Sequence, residues 1–407
     1  MAQPLSKDLA QQSLDAVTDH GTERSAALAL SVSRNTLHDR LVTARRYGLK
    51  PGGGRVASSN PSVMGATIKR LEAELKRAQA TSAEVDAIKH VIGNISNKVA
   101  VRPDVPWLIS QRTAPSAPGV PTLFISDLHW GEVVYPAQIN NVNEYNLRIA
   151  HERMKTLVDS TVHLLAIISP EMKYPGIVVP LGGDMISGNL HDELSATNEL
   201  NSMPTVLDLF DVLSGVILAL ADKFARVFLP CVTGNHGKDT RKIWAKDRHA
   251  TSFDWLLYQF LARRFKDDKR IQFYVPDGIS AHFRIYGHRY RLSHGDRLGK
   301  GGDGIIGALG PIIRGDHRTR SRDAQIDLSY DTHIIGHFHQ YTHMSRVVVN
   351  GSLKGYDEYA SVEGFPFEPP QQALWVTHPK YRITYRMPVY VDRQREPAVT
   401  SWVSVPN

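Results

Sequence analysis

Apolar and polar positions follow two different periods along this chain of 407 residues, and the first of them is helical. Apolar side chains recur at three- and four-residue steps in Leu9–Asp19 and Glu23–Leu30, which predicts two short helices. A third helix is predicted from Arg34, because Ser33 is a favourable N-cap and Leu37 continues an apolar face. Residues 1–50 are therefore expected to form a small all-α region.

The next part of the chain alternates between linkers and one further helical pattern. Residues 51–60 are rich in glycine, so we expect a linker without packed structure. Residues 61–98 have helical spacing with a break, which predicts a helical hairpin or a short coiled coil that would allow a homodimer through the N-terminal helices. Residues 99–121 are rich in proline and are predicted to be a second linker.

Residues 122–395 have the pattern of a mixed α/β domain, and residues 396–407 are expected to be a C-terminal tail. Long amphipathic helices are predicted over Glu144–Ile168, Pro204–Lys223 and Thr251–Phe265, separated by short apolar runs that read as strands. Beyond Ile271 the chain changes to short alternating strands. Strand–helix units followed by a run of strands predict two sheets packed face to face, with helices outside.

The composition and the charge distribution indicate a cellular compartment and a class of partner. Apolar content of 42% and charged content of 22% are ordinary for a globular protein, and we find neither a transmembrane helix nor a secretion signal, so a cytoplasmic protein without a membrane is expected. Cys231 is the single cysteine, which excludes an internal disulfide. Residues 1–112 hold 16 Lys and Arg against 10 Asp and Glu, a net charge of +6 out of +7. A basic arm of this kind favours a polyanionic partner.

Five short blocks rich in His and Asp follow or end the predicted strands. They are Asp127-Leu128-His129, Gly182-Gly183-Asp184, Gly234-Asn235-His236, Ser293-His294-Gly295-Asp296 and Gly336-His337-Phe338-His339. Polar residues placed just past strand ends converge on one edge of a sheet. Carboxylate, amide and imidazole donors in this number can hold two divalent ions without any thiolate.

The order and spacing of these blocks resemble the calcineurin-like metallophosphoesterase family, from about Thr122 to His339. The resemblance implies a four-layer α/β/β/α sandwich, here preceded by the small all-α region. It also implies a role for each ligand: Asp184 would bridge two ions, Asp127, His129 and His339 would complete the first, and Asn235, His294 and His337 would complete the second. His236 would protonate the leaving oxygen, and Asp296 would orient a ligand from behind.

One position departs from the family, which usually has an acidic residue after Gly-Asn-His. This chain has Gly237 there, followed by Lys238 and Asp239. Two alternatives stay open: Asp239 replaces the missing carboxylate in orienting His236, or it does not, in which case we expect a weaker acid step and unchanged metal binding. The resemblance leaves the metal open, with Mn²⁺ favoured and Mg²⁺, Fe²⁺ or Zn²⁺ as alternatives.

The blocks also bear on the substrate. Met185 to Gly188 follow Asp184 without the arginine of the Ser/Thr protein phosphatases. The close His337 and His339 pair is more similar to the phosphodiesterase and SbcD-type DNA exonuclease branches, including phage-encoded proteins labelled DNA repair exonucleases.

Two basic segments are candidates for contact with nucleic acid. The third predicted helix resembles the reading helix of a helix-turn-helix, and a protein-docking helical hairpin is the alternative. Its candidate contacts are Arg34, Asn35, Arg40, Arg45 and Arg46. The Gly- and Arg-rich stretch Arg297–Arg322, with Arg314, Arg318 and Arg320, is expected to be either a flexible loop that receives a phosphate backbone or a solvated surface loop.

The leading hypothesis is therefore a dinuclear-metal-dependent DNA nuclease, exonuclease-like, that uses a metal-activated water. Two alternatives stay open. One is a phosphatase or cyclic-nucleotide phosphodiesterase with a small substrate, and the other is a DNA-binding regulator whose metal site is structural.

Overall fold

A computed structural model describes residues 6–51, 105–109, 118–189, 192–240, 245–299 and 309–392. The chain divides into two compact units, Met1–Asn94 and Ile95–Asn407, which are described separately. The predictions for the glycine-rich linker beyond residue 51, the helical hairpin over 61–98 and the C-terminal tail fall outside the described residues.

The first unit contains three helices: α1 (Lys7–His20), α2 (Glu23–Ala29) and α3 (Arg34–Arg46). Each begins at a side-chain cap, Ser6, Thr22 and Ser33 in turn. The prediction for Ser33 is confirmed, because its hydroxyl accepts a hydrogen bond from the Thr36 backbone N–H at 3.0 Å. Their apolar faces meet in one small core, formed by Ala16, Ala26, Ala27, Leu37 and Leu41.

The second unit is built from eleven strands and seven helices among the described residues. The helices are α4 (Pro106–Ile109), α5 (Leu147–Ile168), α6 (Asp192–Thr197), α7 (Ser202–Phe224), α8 (Phe253–Arg264), α9 (Leu309–Ala324) and α10 (Glu358–Val362). The strands are β1 (Val120–Leu123), β2 (Ile177–Val178), β3 (Val227–Pro230), β4 (Ile271–Tyr274), β5 (Ser280–Ile285), β6 (His288–Ser293), β7 (Thr332–Ile335), β8 (Thr342–His343), β9 (Val347–Val349), β10 (Gln371–His378) and β11 (Arg382–Tyr390).

These strands form two mixed sheets. The six-stranded sheet has the order β11-β10-β1-β2-β3-β4, in which β1 to β4 are parallel and β10 and β11 are antiparallel additions. The five-stranded sheet has the order β5-β6-β7-β9-β8, with β6, β7 and β9 parallel. Because parallel neighbours end at the same edge, the loops after β1, β2 and β3 lie together, as do those after β6 and β7.

Buried side chains connect the sheets with each other and with the helices. One core joins both sheets, with Phe124 and Phe228 from the first and Phe283 and Tyr290 from the second. A larger core joins the six-stranded sheet to α5, α7 and α8, and a smaller one joins Ile312 of α9 to the five-stranded sheet. The fold is therefore a mixed α/β fold of two sheets and helices, as the strand pattern predicts.

Helix α7 (Ser202–Phe224) corrects the expectation that the chain has no helix long and apolar enough for a membrane. Among the described residues it is the one helix that reaches that length and hydropathy. One face of the helix is buried in the core, through Val206, Leu209, Leu213 and Ile217. Its apolar character is that of a helix packed against a sheet.

Two segments predicted as linker or loop contain helices. Arg314, Arg318 and Arg320 lie on α9, so this part of the predicted basic loop is regular structure. Its inward face includes Asp316, Thr319 and Asp323, and such polar residues hide the helical period of a buried face.

In the proline-rich segment, α4 carries Trp107 and Leu108 into the core that joins the two sheets. Leu108 also accepts a hydrogen bond from the Tyr286 backbone N–H. Residues 105–109 therefore belong to the packed unit and are not a linker, because two large apolar side chains are enough to anchor a short segment.

Candidate metal centre

The five predicted blocks come together at the edge where β1, β2, β3, β6 and β7 end. Three overlapping groups each bring their ligand atoms within 4.8 Å of one another: Asp127, His129 and His339; His129, Asp184 and His236; Asp184, His294 and His337. Asn235, the remaining predicted ligand, has its Oδ1 3.0 Å from Nε2 of His294. The structure thus brings all seven predicted ligands and His236 to one place.

Asp184 is shared by two of the three groups, which is the position that a bridging carboxylate requires. Its Oδ2 lies 2.9 Å from Nε2 of His294. Its Oδ1 accepts hydrogen bonds from the backbone N–H groups of Asn235 and His236, both at 2.7 Å. Burial favours the neutral acid, but the charge of His294 holds the pKa of Asp184 well below its usual range. Asp184 is therefore a buried carboxylate fixed by the neighbouring ligand loop.

His294 is oriented so that its Nε2 faces the other ligands. Its Nδ1 donates to the Gly182 carbonyl at 2.9 Å, since a carbonyl can only accept. Burial opposes a charge on the ring, but the carboxylate of Asp184 outweighs it and raises the pKa of His294 to about 10. A site that holds a proton this strongly is a site with a strongly negative potential, which also suits a cation.

His129 and His339 point the same ring nitrogen at one point, with their Nε2 atoms 3.1 Å apart. Oδ1 of Asp127 lies 3.4 Å from the same nitrogen of His339. Two imidazole nitrogens and a carboxylate oxygen aimed at a common point form a donor set for a divalent ion.

Behind His129 lies a buried ion network that sequence reasoning missed. Nδ1 of His129 is 3.2 Å from Oε2 of Glu132, and Oε1 of Glu132 accepts from Nζ of Lys354 at 2.7 Å. Lys354 also pairs with Asp357. Burial alone would raise the pKa of Glu132, but the ammonium of Lys354 holds it well below its usual range. A carboxylate on the second nitrogen fixes the tautomer and the orientation of a ligating histidine.

Five of the predicted ligands have left-handed backbone conformations. They are Asp127, His129, Asp184, His337 and His339, with φ between 46° and 69°. Residues other than glycine adopt this region uncommonly, and such strain clusters at functional sites. The loops therefore hold their ligands in conformations that the surrounding structure imposes.

Two glycines allow backbone to approach the ligand carboxylates closely. A β-carbon at Gly234 would lie 2.0 Å from Oδ1 of Asp184, and one at Gly336 would lie 2.2 Å from Oδ2 of Asp127. Any side chain at either position would displace a ligand carboxylate, and this steric limit explains why both motifs have glycine there.

A second buried carboxylate, Asp254, fastens two ligand loops together and was not predicted. Its Oδ2 accepts from the backbone N–H groups of Asp184 at 3.0 Å and Gly234 at 2.9 Å, and its Oδ1 accepts from Met185 at 3.2 Å. Burial, followed by the charge of Asp184, raises the pKa of Asp254 to about 6. No sequence signal marks it, because it is a single aspartate in the first turn of α8.

The loop that carries Asp127 is held by residues after β9. Asn350 donates to the Ser126 hydroxyl at 2.9 Å, and Ser126 donates to Oδ2 of Asp127. Ser352 donates to the Asp127 carbonyl at 2.9 Å. Asn350 and Ser352 thus position the first ligand without contacting the donor groups.

His236 is oriented by Ser187, and this supports the alternative in which Asp239 does not orient the ring. Nδ1 of His236 donates to the Ser187 carbonyl at 3.0 Å, so a backbone oxygen fixes the ring in place of a carboxylate. Burial lowers the pKa of His236 to about 3, although the charge of Asp184 acts in the opposite direction. The ring is therefore neutral in the free protein at neutral pH.

Asp296 was expected to orient a metal ligand directly, but in the structure it contacts Arg248 instead. Its Oδ2 is 3.0 Å from Nη1 of the buried Arg248, and Nη2 of Arg248 donates to the Gly234 carbonyl at 3.0 Å. Asp296 therefore supports the loop of Asn235 and His236 through Arg248 and makes no direct bond to a ligating histidine among the described contacts.

The candidate nucleic-acid residues differ in their availability. Arg34, Asn35, Arg45 and Arg46 are exposed on α3, and Arg40 is half-buried. On α9, Arg314 is exposed and Arg318 donates to the Leu298 carbonyl at 3.0 Å. Arg320 is bound internally, to Asp316 at 3.0 Å and to the Tyr330 carbonyl at 2.6 Å. A cavity of about 160 Å³ beside the metal centre is lined by His294, Asp296, Arg248, Arg297 and Arg318.

Comparison with known proteins adds little. No family model matches the chain, and no curated protein matches it. Among solved structures, the chain is similar to a Staphylococcus aureus protein with the provisional name 5'-nucleotidase, solved in complex with alpha-ketoglutarate. The identity is 11% and the TM-score is 0.31, over 69% of this chain and 56% of that one. A likeness at this level is too slight to carry an argument about fold or function.

Proposed function

We propose that this protein is a metal-dependent phosphoesterase that hydrolyses phosphodiester bonds of nucleic acid. The observation that carries the proposal is that donors from five separated loops form three overlapping groups, and that Asp184 belongs to two of them. The core between the sheets and the helices packed outside them also support the four-layer sandwich that the sequence resemblance implies.

The donor set fits two divalent ions. It consists of carboxylate, amide and imidazole groups without a thiolate, which suits Mn²⁺, Mg²⁺, Fe²⁺ and Zn²⁺ to different degrees. Asp127, His129, Asp184 and His339 would hold one ion, and Asp184, Asn235, His294 and His337 the other. When bound, such a pair supplies a water of lowered pKa and neutralises charge on the phosphoryl group.

The chain's own residues supply orientation and a proton. The Gly182 carbonyl fixes the ring of His294 through a hydrogen bond to Nδ1. The carboxylate of Glu132 lies 3.2 Å from Nδ1 of His129, so the Nε2 atom of each ring is the one left for a metal ion. His236 presents Nε2 beside Asp184, while its Nδ1 is held by Ser187. A general acid must carry a proton on the nitrogen that faces the leaving oxygen, so this role requires His236 to be protonated when the phosphoester is bound.

Two observations favour nucleic acid as the substrate. The charge excess is concentrated in residues 1–112, and α3 presents Arg34, Arg45 and Arg46 to solvent. Exposed arginines on a short capped helix can contact phosphates. A DNA nuclease accounts for both features.

A small phosphoester is the second candidate, and the cavity beside His294 favours it. Its volume of about 160 Å³ is small, compared with about 300–1,000 Å³ for sites that enclose a whole drug-sized ligand. A phosphatase or cyclic-nucleotide phosphodiesterase would use the same donors and leave α3 without a part in turnover.

The experiment is hydrolysis by the full chain, stripped of metal and then given Mn²⁺, with labelled single- and double-stranded DNA and with a chromogenic phosphodiester. Asp184→Asn should lower the rate by about a thousandfold, because several kcal/mol of charge stabilisation are lost. Asp267→Asn is the matched control, since its side chain is 90% exposed. Cleavage of the small ester but of neither DNA would replace the nuclease with the second candidate, and no cleavage of any ester would remove both.

A further inference from the structure

A second cavity lies at the opposite end of the five-stranded sheet from the metal centre. It has a volume of about 570 Å³ and includes His288, Thr332 and Arg346, which lie at or just before the starts of β6, β7 and β9. The ligands His294 and His337 follow the far ends of β6 and β7. The six residues of β6 span roughly 17–20 Å, so this cavity is separate from the metal centre.

The lining of this cavity is strongly basic. It includes one carboxylate, that of Asp331, and five guanidinium groups, those of Arg289, Arg320, Arg346, Arg382 and Arg386. Each guanidinium is charged at any physiological pH. So many like charges around one concave surface repel one another unless an anion neutralises them.

The internal ion pairs account for two of the five arginines. Arg289 contacts both oxygens of Asp331, at 3.0 and 3.1 Å, and Arg320 pairs with Asp316 at 3.0 Å. Within the part of the chain that the structure describes, Arg346, Arg382 and Arg386 have no carboxylate partner. Three arginines are thus available to a ligand, and the planar guanidinium matches phosphate oxygens in pairs.

The pKa of His288, which also lines the cavity, is lowered in this basic surrounding. Burial lowers the pKa of His288 to about 4, and the charges of Arg382 and Arg289 act in the same direction, against that of Asp331. The ring is therefore neutral at neutral pH and adds no charge to the cavity.

The turn between β10 and β11 adds an aromatic side chain. Tyr381 lines the cavity and is 64% exposed. Arg382 has φ of 63°, in the left-handed region that side chains other than glycine rarely adopt. Arg382 ends the three-residue turn that begins after its strand partner His378, where a left-handed residue is common. The ring of Tyr381 stacks on His378 with 4.8 Å between centroids, and Nζ of Lys380 lies 5.2 Å from its centroid. The face of Tyr381 that His378 leaves open is a surface on which a nucleobase can stack.

We propose that this cavity is a second binding site, for a nucleotide unit whose phosphates contact Arg346, Arg382 and Arg386 and whose base stacks on Tyr381. The unit belongs either to a free nucleotide or to a single strand of nucleic acid, since both offer the same groups. This site goes beyond the proposed function, because it lies at the other end of the sheet from the metal centre.

The test uses the full chain with Asp184→Asn, in EDTA, so that neither hydrolysis nor a metal ion contributes. Binding of a fluorescent adenine nucleotide and of a labelled single-stranded oligonucleotide is measured, with pyrophosphate as competitor. Arg382→Gln with Arg386→Gln should weaken binding about tenfold or more. Tyr381→Ala should lower the affinity for the nucleotide and leave the affinity for pyrophosphate unchanged. Arg148→Gln with Arg263→Gln is the matched control, because it removes two exposed arginines from α5 and α8.

If the cavity binds the adenine nucleotide more tightly than the oligonucleotide, its ligand is a free nucleotide. If it binds the oligonucleotide more tightly, its ligand is a single strand of nucleic acid. The proposal is overturned if neither probe binds saturably, or if the control pair weakens binding as much as the cavity pair. Circular dichroism of each variant distinguishes a lost contact from a lost fold.

Discussion

The carboxylate of Asp254 occupies the space in which a side chain at Gly237 would lie. A β-carbon at Gly237 would meet Oδ1 of Asp254 at 2.9 Å and its Cγ at 3.2 Å. Gly237 is the position at which the family that the five blocks resemble usually has an acid, and in this chain the carboxylate of Asp254 reaches that space from α8. The same carboxylate accepts three backbone N–H groups from the loops of Asp184 and Asn235.

Asp254→Ala should therefore weaken metal binding without removing a ligand. Three buried N–H groups would lose their acceptor, and loss of such supporting contacts costs metal sites about 10–100-fold in affinity. Adding Gly237→Glu to Asp254→Ala should recover part of the affinity, because the space is then free for the carboxylate that the motif lacks. Mn²⁺ titration calorimetry measures both. Gly237→Glu is also measured alone. If it lowers the Mn²⁺ affinity by the same factor with and without Asp254→Ala, the two positions are independent, and Asp254 does not take the place of an acid at position 237.

Lys354 should be essential for stability, because it neutralises two buried carboxylates. Lys354→Met leaves Glu132 and Asp357 without their shared cation, and breaking a buried pair costs about 3–5 kcal/mol. Lys155→Met is the control, because Lys155 is 72% exposed in an ion pair on α5 and should change the free energy of unfolding by less than about 1 kcal/mol. Urea unfolding of the metal-free proteins compares them, and equal small losses would show that the buried network does not stabilise the fold.

The ion pair of Asp331 with Arg289 predicts an acid-sensitive part of the stability. Hydrogen bonds from Arg289 lower the pKa of Asp331 to about 2, against about 3.9 in an unfolded chain. A pKa that is lower in the folded state stabilises the fold above about pH 4, and the contribution is lost as the pH falls toward 2. The pair is partly exposed, so we expect about 1 kcal/mol.

Asp331→Asn should accordingly cost stability at about pH 6 and almost none at about pH 2. Urea unfolding of both proteins at the two pH values gives the comparison. A loss that is the same at both values would mean that the substitution acts by packing and not through the charge of the carboxylate.

The arginines of α3 should govern the salt dependence of DNA binding. Replacing Arg34, Arg45 and Arg46 by Gln should reduce the slope of log K against log salt by about 3 if each contacts one phosphate. Arg148→Gln, Lys155→Gln and Arg263→Gln remove the same charge from exposed helix faces of the second unit. An equal change of slope in both triple variants would mean that α3 has no special part, and a protein-docking role for the first unit would then be favoured.

The sequence predicts the metal ligands better than the residues that hold those ligands in position. Asp127, Asp184 and His294 follow strands, so strand ends and residue type together locate them. Asp254 and Lys354 act across long separations in the chain, and each is a single charged residue whose burial is a tertiary property. Nothing in their neighbourhood distinguishes them from surface charges.

The same limit explains the errors in local structure. The sequence pattern of helix α9 indicates a loop because its inward face is polar. Asp316 and Asp323 bind Arg320 and Arg322 of the same helix, but they also need His333 and Arg291 from the five-stranded sheet. The prolines around helix α4 indicate a linker, although Trp107 and Leu108 are large apolar side chains of the kind that is usually buried. Periodicity detects apolar faces, and these two segments bury too few apolar residues to be recognised.

An anomalous-scattering map of crystals grown with Mn²⁺ tests directly whether the predicted ligands hold two ions. The account predicts two peaks about 3.5–4 Å apart, with Asp184 between them, His129 and His339 beside one and Asn235 and His294 beside the other. A map with no peak or a single peak at this place, or with two peaks that Asp184 does not join, would contradict it.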